Sequence, residues 1–429
     1  TVGSEISESD ISLTLKVVPL TTYKQWRYIG DTSWYKEEEN AFTINTAREL
    51  AGLAQLVYDG NDMAGKAFTL GKDISLANDD GSEGLRYWDG IGTVNTPFAG
   101  TFDGAGHKIT DIKGGSRALF GYVYGTEDSR AAIKDITVYG TFTGADAGGI
   151  ASYTKYTDIS GCTVYAAISS EGLNTGGIVS YANTDTYIKD CINYSTIIAV
   201  GYIGGICGQT STTTVVEDCV NCGNILCLDT GGNNIGGIAG SLTGTLKACA
   251  NYGHITASGR NIGGICGQSV SKKSLIEDCY NAGTVTYKGG TNSLDTLGGI
   301  CGFGSYFVIR NSFNYGAVRK VSGTLANYEG ALIGREGAKS DSLSEDVYFL
   351  DSSNKYAENA TEVSKLPDGT YANGMKSASA ADFASESGVL KAINEDGAFA
   401  MGSAGYPELK SVIGRLHVHS GGSATCSKW

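Results

Sequence analysis

Six times in this chain a pair of glycines is followed by isoleucine, and that recurrence restricts the fold more than any other feature. The copies are Gly148-Gly149-Ile150, Gly176-Gly177-Ile178, Gly204-Gly205-Ile206, Gly236-Gly237-Ile238, Gly263-Gly264-Ile265 and Gly298-Gly299-Ile300. Successive isoleucines lie 28, 28, 32, 27 and 35 residues apart. Leu119-Phe120-Gly121 precedes the set and Gly330-Ala331-Leu332-Ile333-Gly334 follows it as weaker relatives. A period of 20 to 50 residues is the mark of a stacked-repeat architecture.

A second signature lies between the glycine pairs. It reads Ile188-x-x-Cys191-x-Asn193, Val216-x-x-Cys219-x-Asn221, Leu246-x-x-Cys249-x-Asn251 and Ile276-x-x-Cys279-x-Asn281, then Ile309-x-x-Ser312-x-Asn314 with serine for cysteine. Ile197, Ile225, Ile255, Val285 and Val318 each follow an asparagine by four residues. Each repeat therefore reads as three short β-prone stretches separated by Gly or Asn turns. A coil that winds once per repeat sets every residue above its equivalent, at the roughly 4.8 Å spacing of paired strands. The predicted fold is all-β: a right-handed parallel β-helix, a solenoid with rungs of about 28–35 residues.

Stacking also accounts for the cysteines. The residue after Gly-Gly-Ile is Ala151, Val179, Cys207, Ala239, Cys266 or Cys301, a set of small side chains exchanging at one position. Buried free cysteine behaves as a small hydrophobe. Packing is therefore expected for Cys191, Cys219, Cys249 and Cys279 rather than a disulfide framework. Asn193, Asn221, Asn251, Asn281 and Asn314 are expected to form a ladder at one turn. Composition agrees, since 62 glycines with only 4 prolines and 41% hydrophobic residues suit strands and tight turns, not a disordered linker.

The flanks break the pattern. Thr46-Ala47-Arg48-Glu49 is a capping box, and Leu50, Leu53, Ala54 and Val57 follow at helical spacing, so a capping helix is expected at the N-terminal end. At the other end, 380–394 reads as one short helix and Gly405-Tyr406-Pro407-Glu408-Leu409 as a terminating strand. The expected organisation is a strand segment or remnant of a preceding domain over 1–43, with an alternating strand from Ile11 to Val18. A capped solenoid over 44–410 and a tail or truncated start of another module over 411–429 complete it. A chain that opens at Thr1 reads as a mature or excised fragment.

Thr46-Ala47-Arg48-Glu49-Leu50, Phe98-Ala99-Gly100-Thr101-Phe102-Asp103-Gly104-Ala105-Gly106, Leu119-Phe120-Gly121 and the repeated Gly-Gly-Ile together resemble the GLUG-repeat family of bacterial, Gram-positive surface proteins. The resemblance spans roughly 40 to 410. It implies export, a cell-wall or secreted location and a modular parent, and it supplies no catalytic residues. The motif also accompanies some immunoglobulin A peptidases, but their His-Glu-x-x-His metal motif is absent here.

Net charge is −13 with no Lys/Arg-rich run, which argues against nucleic acid as a partner. No apolar stretch approaches the roughly 20 residues needed to cross a bilayer. Asp190, Asp218 and Asp278 precede the cysteine column, beside Glu217 and Glu277. They read as turn-capping residues, with a calcium site at Asp190 and Asp218 or carboxylate catalysis as alternatives. Cys219-x-x-Cys222 has metal-site spacing but no second pair to complete it. Tyr194, Tyr252 and Tyr315 share one position on alternate rungs. They form either an exposed sugar-stacking row or rings packed over small neighbours.

The functional expectation is a non-enzymatic, monomeric adhesin-type module for glycans or host proteins, with no required cofactor. A structural stalk is the alternative, and a polysaccharide-degrading β-helix enzyme the third reading.

Overall fold

The computed structural model describes residues 24–77, 86–115, 117–227, 231, 233–289, 295–321, 328–337, 343–350, 375–394, 397–402 and 405–412. The strand expected from Ile11 to Val18 and most of the 411–429 tail lie outside these residues. Parallel pairing of each turn on the next makes the chain a β-solenoid. One apolar column runs Phe42–Phe68–Phe102–Ile133–Ile159–Ile188–Val216–Leu246–Ile276–Ile309, in register throughout. All of these side chains are buried. The winding thus begins at the strand Ala41–Ile44, just before the expected boundary at 44 and well before the first Gly-Gly-Ile.

The three stretches expected per repeat are five short strands. In one turn they are Tyr202–Gly204, Cys207–Thr210, Val215–Glu217, Val220–Asn221 and Ile225–Cys227. Single-residue bends, too short to read as turns in sequence, divide them. One bend is a column in left-handed backbone: Asp135 (φ 51°), Gly161 (63°), Asp190 (56°), Asp218 (52°), Ala248 (50°), Asp278 (54°), Asn311 (47°) and Asp346 (49°). Asp, Asn and Gly tolerate this region and other residues pay roughly 1–2 kcal/mol, which is why the column holds those three types. Ala248 is the exception. Ala248→Val, β-branched at positive φ, is expected to lower stability by about 2 kcal/mol, whereas Ala248→Asn is neutral or stabilising. Urea midpoints of the two variants check this, and equal midpoints would remove the backbone explanation.

The asparagine ladder is present as expected. Nδ2 of Asn193 donates to Oδ1 of Asn221 (2.8 Å), Asn221 to Asn251 (2.8 Å), Asn251 to Asn281 (2.7 Å) and Asn281 to Asn314 (2.8 Å). Asn314 ends the series on the carbonyl of Ala331. From Gly177 onward the second glycine of each pair faces this ladder, with Val164 in the asparagine's place at Gly149: a Cβ on Gly205 or Gly237 would lie 2.3 Å from Cγ of Asn221 or Asn251. The first glycine is equally closed, since a Cβ on Gly204 would sit 1.9 Å from the Cys207 carbonyl oxygen. Steric exclusion by the asparagines and by the chain's own return therefore writes the Gly-Gly motif.

Nine cysteines among the described residues are free and buried. Cys162, Cys191, Cys219, Cys249 and Cys279 stack in one column that continues to Ser312. Cys207, Cys266 and Cys301 share a second with Val179 and Ala239. Packing is thus the right reading for these nine. Cys222 is the correction, because it is disulfide-bonded. Burial pushes the Cys207 thiol up to about 12, and the thiol of Cys191 together with burial holds Cys162 well above the ordinary range. Only a thiolate reacts readily. The native protein is expected to leave all nine unmodified by a water-soluble thiol reagent at pH 8, and the guanidinium-unfolded protein to label all nine. Mass spectrometry reads the count, and native labelling at any of them would contradict the burial.

The N-terminal helix α1 (Ala47–Tyr58) has the expected box. Oγ1 of Thr46 accepts from the Glu49 amide at 3.1 Å, and the Glu49 carboxylate accepts from the Thr46 amide at 3.1 Å. Its Leu50, Leu53, Ala54 and Val57 join the same core as Phe42 and Phe68. At the other end the single expected helix is two, α2 (Ala380–Phe383) and α3 (Val389–Ile393). Between them the chain folds back so that Gly388 closes on Asp382, where a Cβ would meet the carbonyl oxygen at 2.2 Å. Pro407–Leu409 pairs antiparallel with Phe399–Met401. No helix among the described residues is long and apolar enough to cross a membrane.

Candidate functional site: a polar and aromatic groove along the Gly-Gly bend

Where the chain turns at each Gly-Gly, the two flanking strands form the walls of an outward groove. One wall carries the column Asn174–Tyr202–Asn234–Asn261–Thr296–Tyr328. The other carries Tyr122–Tyr153–Tyr181–Gln209–Ser241–Gln268–Phe303–Arg335. Glycine lets the walls meet at the bottom, since a Cβ on Gly267 would lie 2.4 Å from the Ile235 amide nitrogen and one on Gly302 2.5 Å from that of Ile262.

Along this groove Tyr202, Asn234, Arg260, Asn261, Gln268, Phe303 and Arg335 line a space of about 560 Å³, solvent-filled opening included. Its polar floor is pre-arranged. Nδ2 of Asn261 donates to Oδ1 of Asn234 (2.7 Å) and to Oε1 of Gln268 (3.0 Å), while Oγ1 of Thr296 donates to Oδ1 of Asn261 (3.2 Å). The Arg335 guanidinium lies 4.7 Å from the Tyr328 ring centre and 5.8 Å from that of Phe303. Amides, aromatic faces and guanidinium groups converge here, and no carboxylate is among the lining residues.

The residues singled out from sequence are not brought together here. Tyr252 and Tyr315 do share a column, but the C-terminal segment covers it. Tyr315 stacks on Tyr406 at 4.8 Å, and the Tyr252 and Tyr280 hydroxyls hydrogen-bond beneath the same cover. Burial, then the Glu408 carboxylate, pushes the Tyr252 hydroxyl well above its ordinary range. Tyr194 instead ends a half-exposed stack, 4.6 Å from Tyr165, which is 4.8 Å from Tyr139. The three do not form a free row, and the packing alternative describes Tyr252 and Tyr315.

Asp190 and Asp218 occupy the left-handed bend on adjacent turns. Nζ of Lys189 lies 3.6 Å from the Asp218 carboxylate and 3.2 Å from that of Glu217. The acidic residues of this face alternate with cations turn by turn: Lys134 with Asp103, Lys247 with Glu277 and Arg310 with Glu345. The acidic side chains paired in this way face a cation rather than another carboxylate. Among the described residues no three His, Cys, Asp or Glu side chains converge to hold a metal ion.

The groove escaped the sequence reading because its residues differ from turn to turn. A partial signal exists in Asn234-Ile235-Gly236-Gly237 and Asn261-Ile262-Gly263-Gly264, and in Ile206-Cys207-Gly208-Gln209 and Ile265-Cys266-Gly267-Gln268.

No family model and no curated protein matches this sequence. The GLUG resemblance therefore rests on the quoted motifs alone. Among solved structures, a match comes from Bacteroides ovatus, described as a "putative immunoglobulin A1 protease". It has 18% identity and a TM-score of 0.41 over 86% of this chain and 92% of that one. A likeness this distant carries no argument about activity.

Proposed function

We propose that this chain is a non-enzymatic adhesin-type module, secreted or displayed on a bacterial surface, and that it binds glycans in the groove along the Gly-Gly bend. The lining carries the proposal. Aromatic rings stack on the apolar faces of sugars, and fixed amides exchange hydrogen bonds with hydroxyls. No carboxylate is among the described residues that line this part of the groove, which supports binding over cleavage. The GLUG-type motifs support the surface location, and the Gly-Gly-Ile periodicity they include is what builds the groove.

The test is binding of the full chain to an immobilised panel of host and microbial glycans and matrix proteins. Tyr202→Ala and Phe303→Ala are each expected to weaken a selective glycan hit about tenfold, as loss of one stacking face at roughly 1.5 kcal/mol implies. Circular dichroism melts of both variants should stay near the parent. A glycan hit untouched by either change would move the site elsewhere. No binding across the panel would favour the stalk reading, in which a regular ladder only spaces other domains.

A further inference from the structure

We infer that the groove selects acidic glycans with one carboxylate on every second sugar, lying along the solenoid axis. This rests on the glycan-binding reading above and specifies its ligand class.

Two cations are among the described residues that line this part of the groove, in a chain of net charge −13. Cations on the neighbouring acidic face are matched by a carboxylate on an adjacent turn, as Lys134, Lys189, Lys247 and Arg310 are. Arg260 and Arg335 are different. Among the described residues neither has an acidic partner, and Nε of Arg260 is buried without a hydrogen bond. Arg335 is held instead by the rings of Tyr328 and Phe303. A guanidinium whose plane is fixed and whose donors face a groove is pre-arranged for a carboxylate, which it grips through two parallel hydrogen bonds.

Register sets the spacing. Arg260 and Asn261 share a turn with Gln268, Thr296 shares the next with Phe303, and Tyr328 the one after with Arg335. The two arginines are therefore rooted two turns apart, on opposite walls, with their backbones about 10 Å apart along the axis at the strand spacing. One turn is close to the length of one pyranose in an extended chain, so the pair matches acid groups on alternate sugars. The turn between them offers the Phe303 ring to the intervening neutral sugar. An acidic peptide, at about 3.3 Å per extended residue, would bring carboxylates to the same spacing but has no ring faces for Tyr202 and Phe303. A densely sulfated polymer is disfavoured by the chain's net charge of −13, which the two arginines lining this space do little to offset.

The experiment is titration of the full chain at low salt with four probes: a hyaluronan decasaccharide, the same oligosaccharide with its carboxylates reduced to alcohols, a heparin decasaccharide and polyglutamate. Hyaluronan should bind best and lose tenfold or more on carboxyl reduction. Arg260→Gln and Arg335→Gln should each cost tenfold or more with hyaluronan and leave the reduced form unchanged, while Arg335→Lys recovers part of the loss. That differential readout separates recognition from misfolding, since a misfolded variant would lose both ligands. Equal binding of acid and reduced forms would overturn the inference while leaving glycan binding intact. Preference for heparin or polyglutamate would overturn it in favour of simple charge attraction or a protein partner. Failure of every probe, together with an empty glycan panel, would remove the glycan reading itself.

Discussion

Replacing Asn251 with leucine, close to it in shape, is expected to destabilise the protein by about 4 kcal/mol. The side chain holds four hydrogen bonds at this bend. Its Oδ1 accepts from Nδ2 of Asn221 and from the Gly253 amide (3.2 Å), and its Nδ2 donates to Oδ1 of Asn281 and to the Gly253 carbonyl (3.1 Å). All these groups are buried. Leucine abandons them without access to water, and each buried polar group left unsatisfied costs about 1–3 kcal/mol. Asn221 keeps its bond to the Gly223 carbonyl, which is why the sum stays below the maximum. Asn251→Asp is expected to be worse, because a buried carboxylate cannot donate to Asn281. Denaturant unfolding gives the magnitude. Hydrogen exchange should place the loss in the turns around 221, 251 and 281, as expected where stability is shared between neighbouring repeats. A Leu variant within 1 kcal/mol of the parent would show that the amide ladder does not hold this bend.

Gly237→Ala should do comparable damage by adding one methyl group. Its Cβ would stand 2.1 Å from the Gly264 carbonyl oxygen and 2.3 Å from Cγ of Asn251. Neither can retreat, because the carbonyl belongs to the next turn and the amide is pinned in its ladder. Overpacking a closed site costs about 1–3 kcal/mol, and here it also breaks ladder hydrogen bonds, so about 3–5 kcal/mol is expected. Gly106→Ala is the control. Its backbone is left-handed (φ 79°), yet nothing lies within 4 Å of an added Cβ, so it should lose only about 1 kcal/mol. If thermal melts rank the two variants equally, steric closure at the bend is not the source of the motif.

These two positions also show why so much of the fold was legible in the sequence. A solenoid repeats its environment, so a residue that can be nothing else in one turn can be nothing else in the next. Gly237 and Asn251 explain each other, and both recur at a fixed interval. The five-strand turn was less legible because its left-handed bend is one residue wide and accepts Asp, Asn, Gly or Ala. The groove was nearly invisible for the opposite reason. Tyr202, Asn234, Asn261, Thr296 and Tyr328 occupy one column, yet no single side-chain type runs through it. A search for self-similarity finds what the scaffold requires and passes over what each turn is free to vary. The cover over Tyr252 and Tyr315 failed differently. Tyr406 comes from a segment outside the repeats, and no period connects it to the rings it stacks on.

The columns of thiols have a consequence for how the chain reaches its folded state. Once wound, Cys162, Cys191, Cys219, Cys249 and Cys279 are sealed one above another, and oxidants cannot reach them. Before winding, the same side chains are spaced about one repeat apart on an open polymer, each a short loop from its nearest partner. A disulfide between any two closes such a loop readily. Winding from one end would hide each thiol as the following turn docks, leaving few reactive at any moment. Release of the whole chain unfolded into an oxidising medium would instead expose all of them together. The yield of soluble protein should therefore depend on whether reductant is present while the chain winds, and cease to depend on it afterwards.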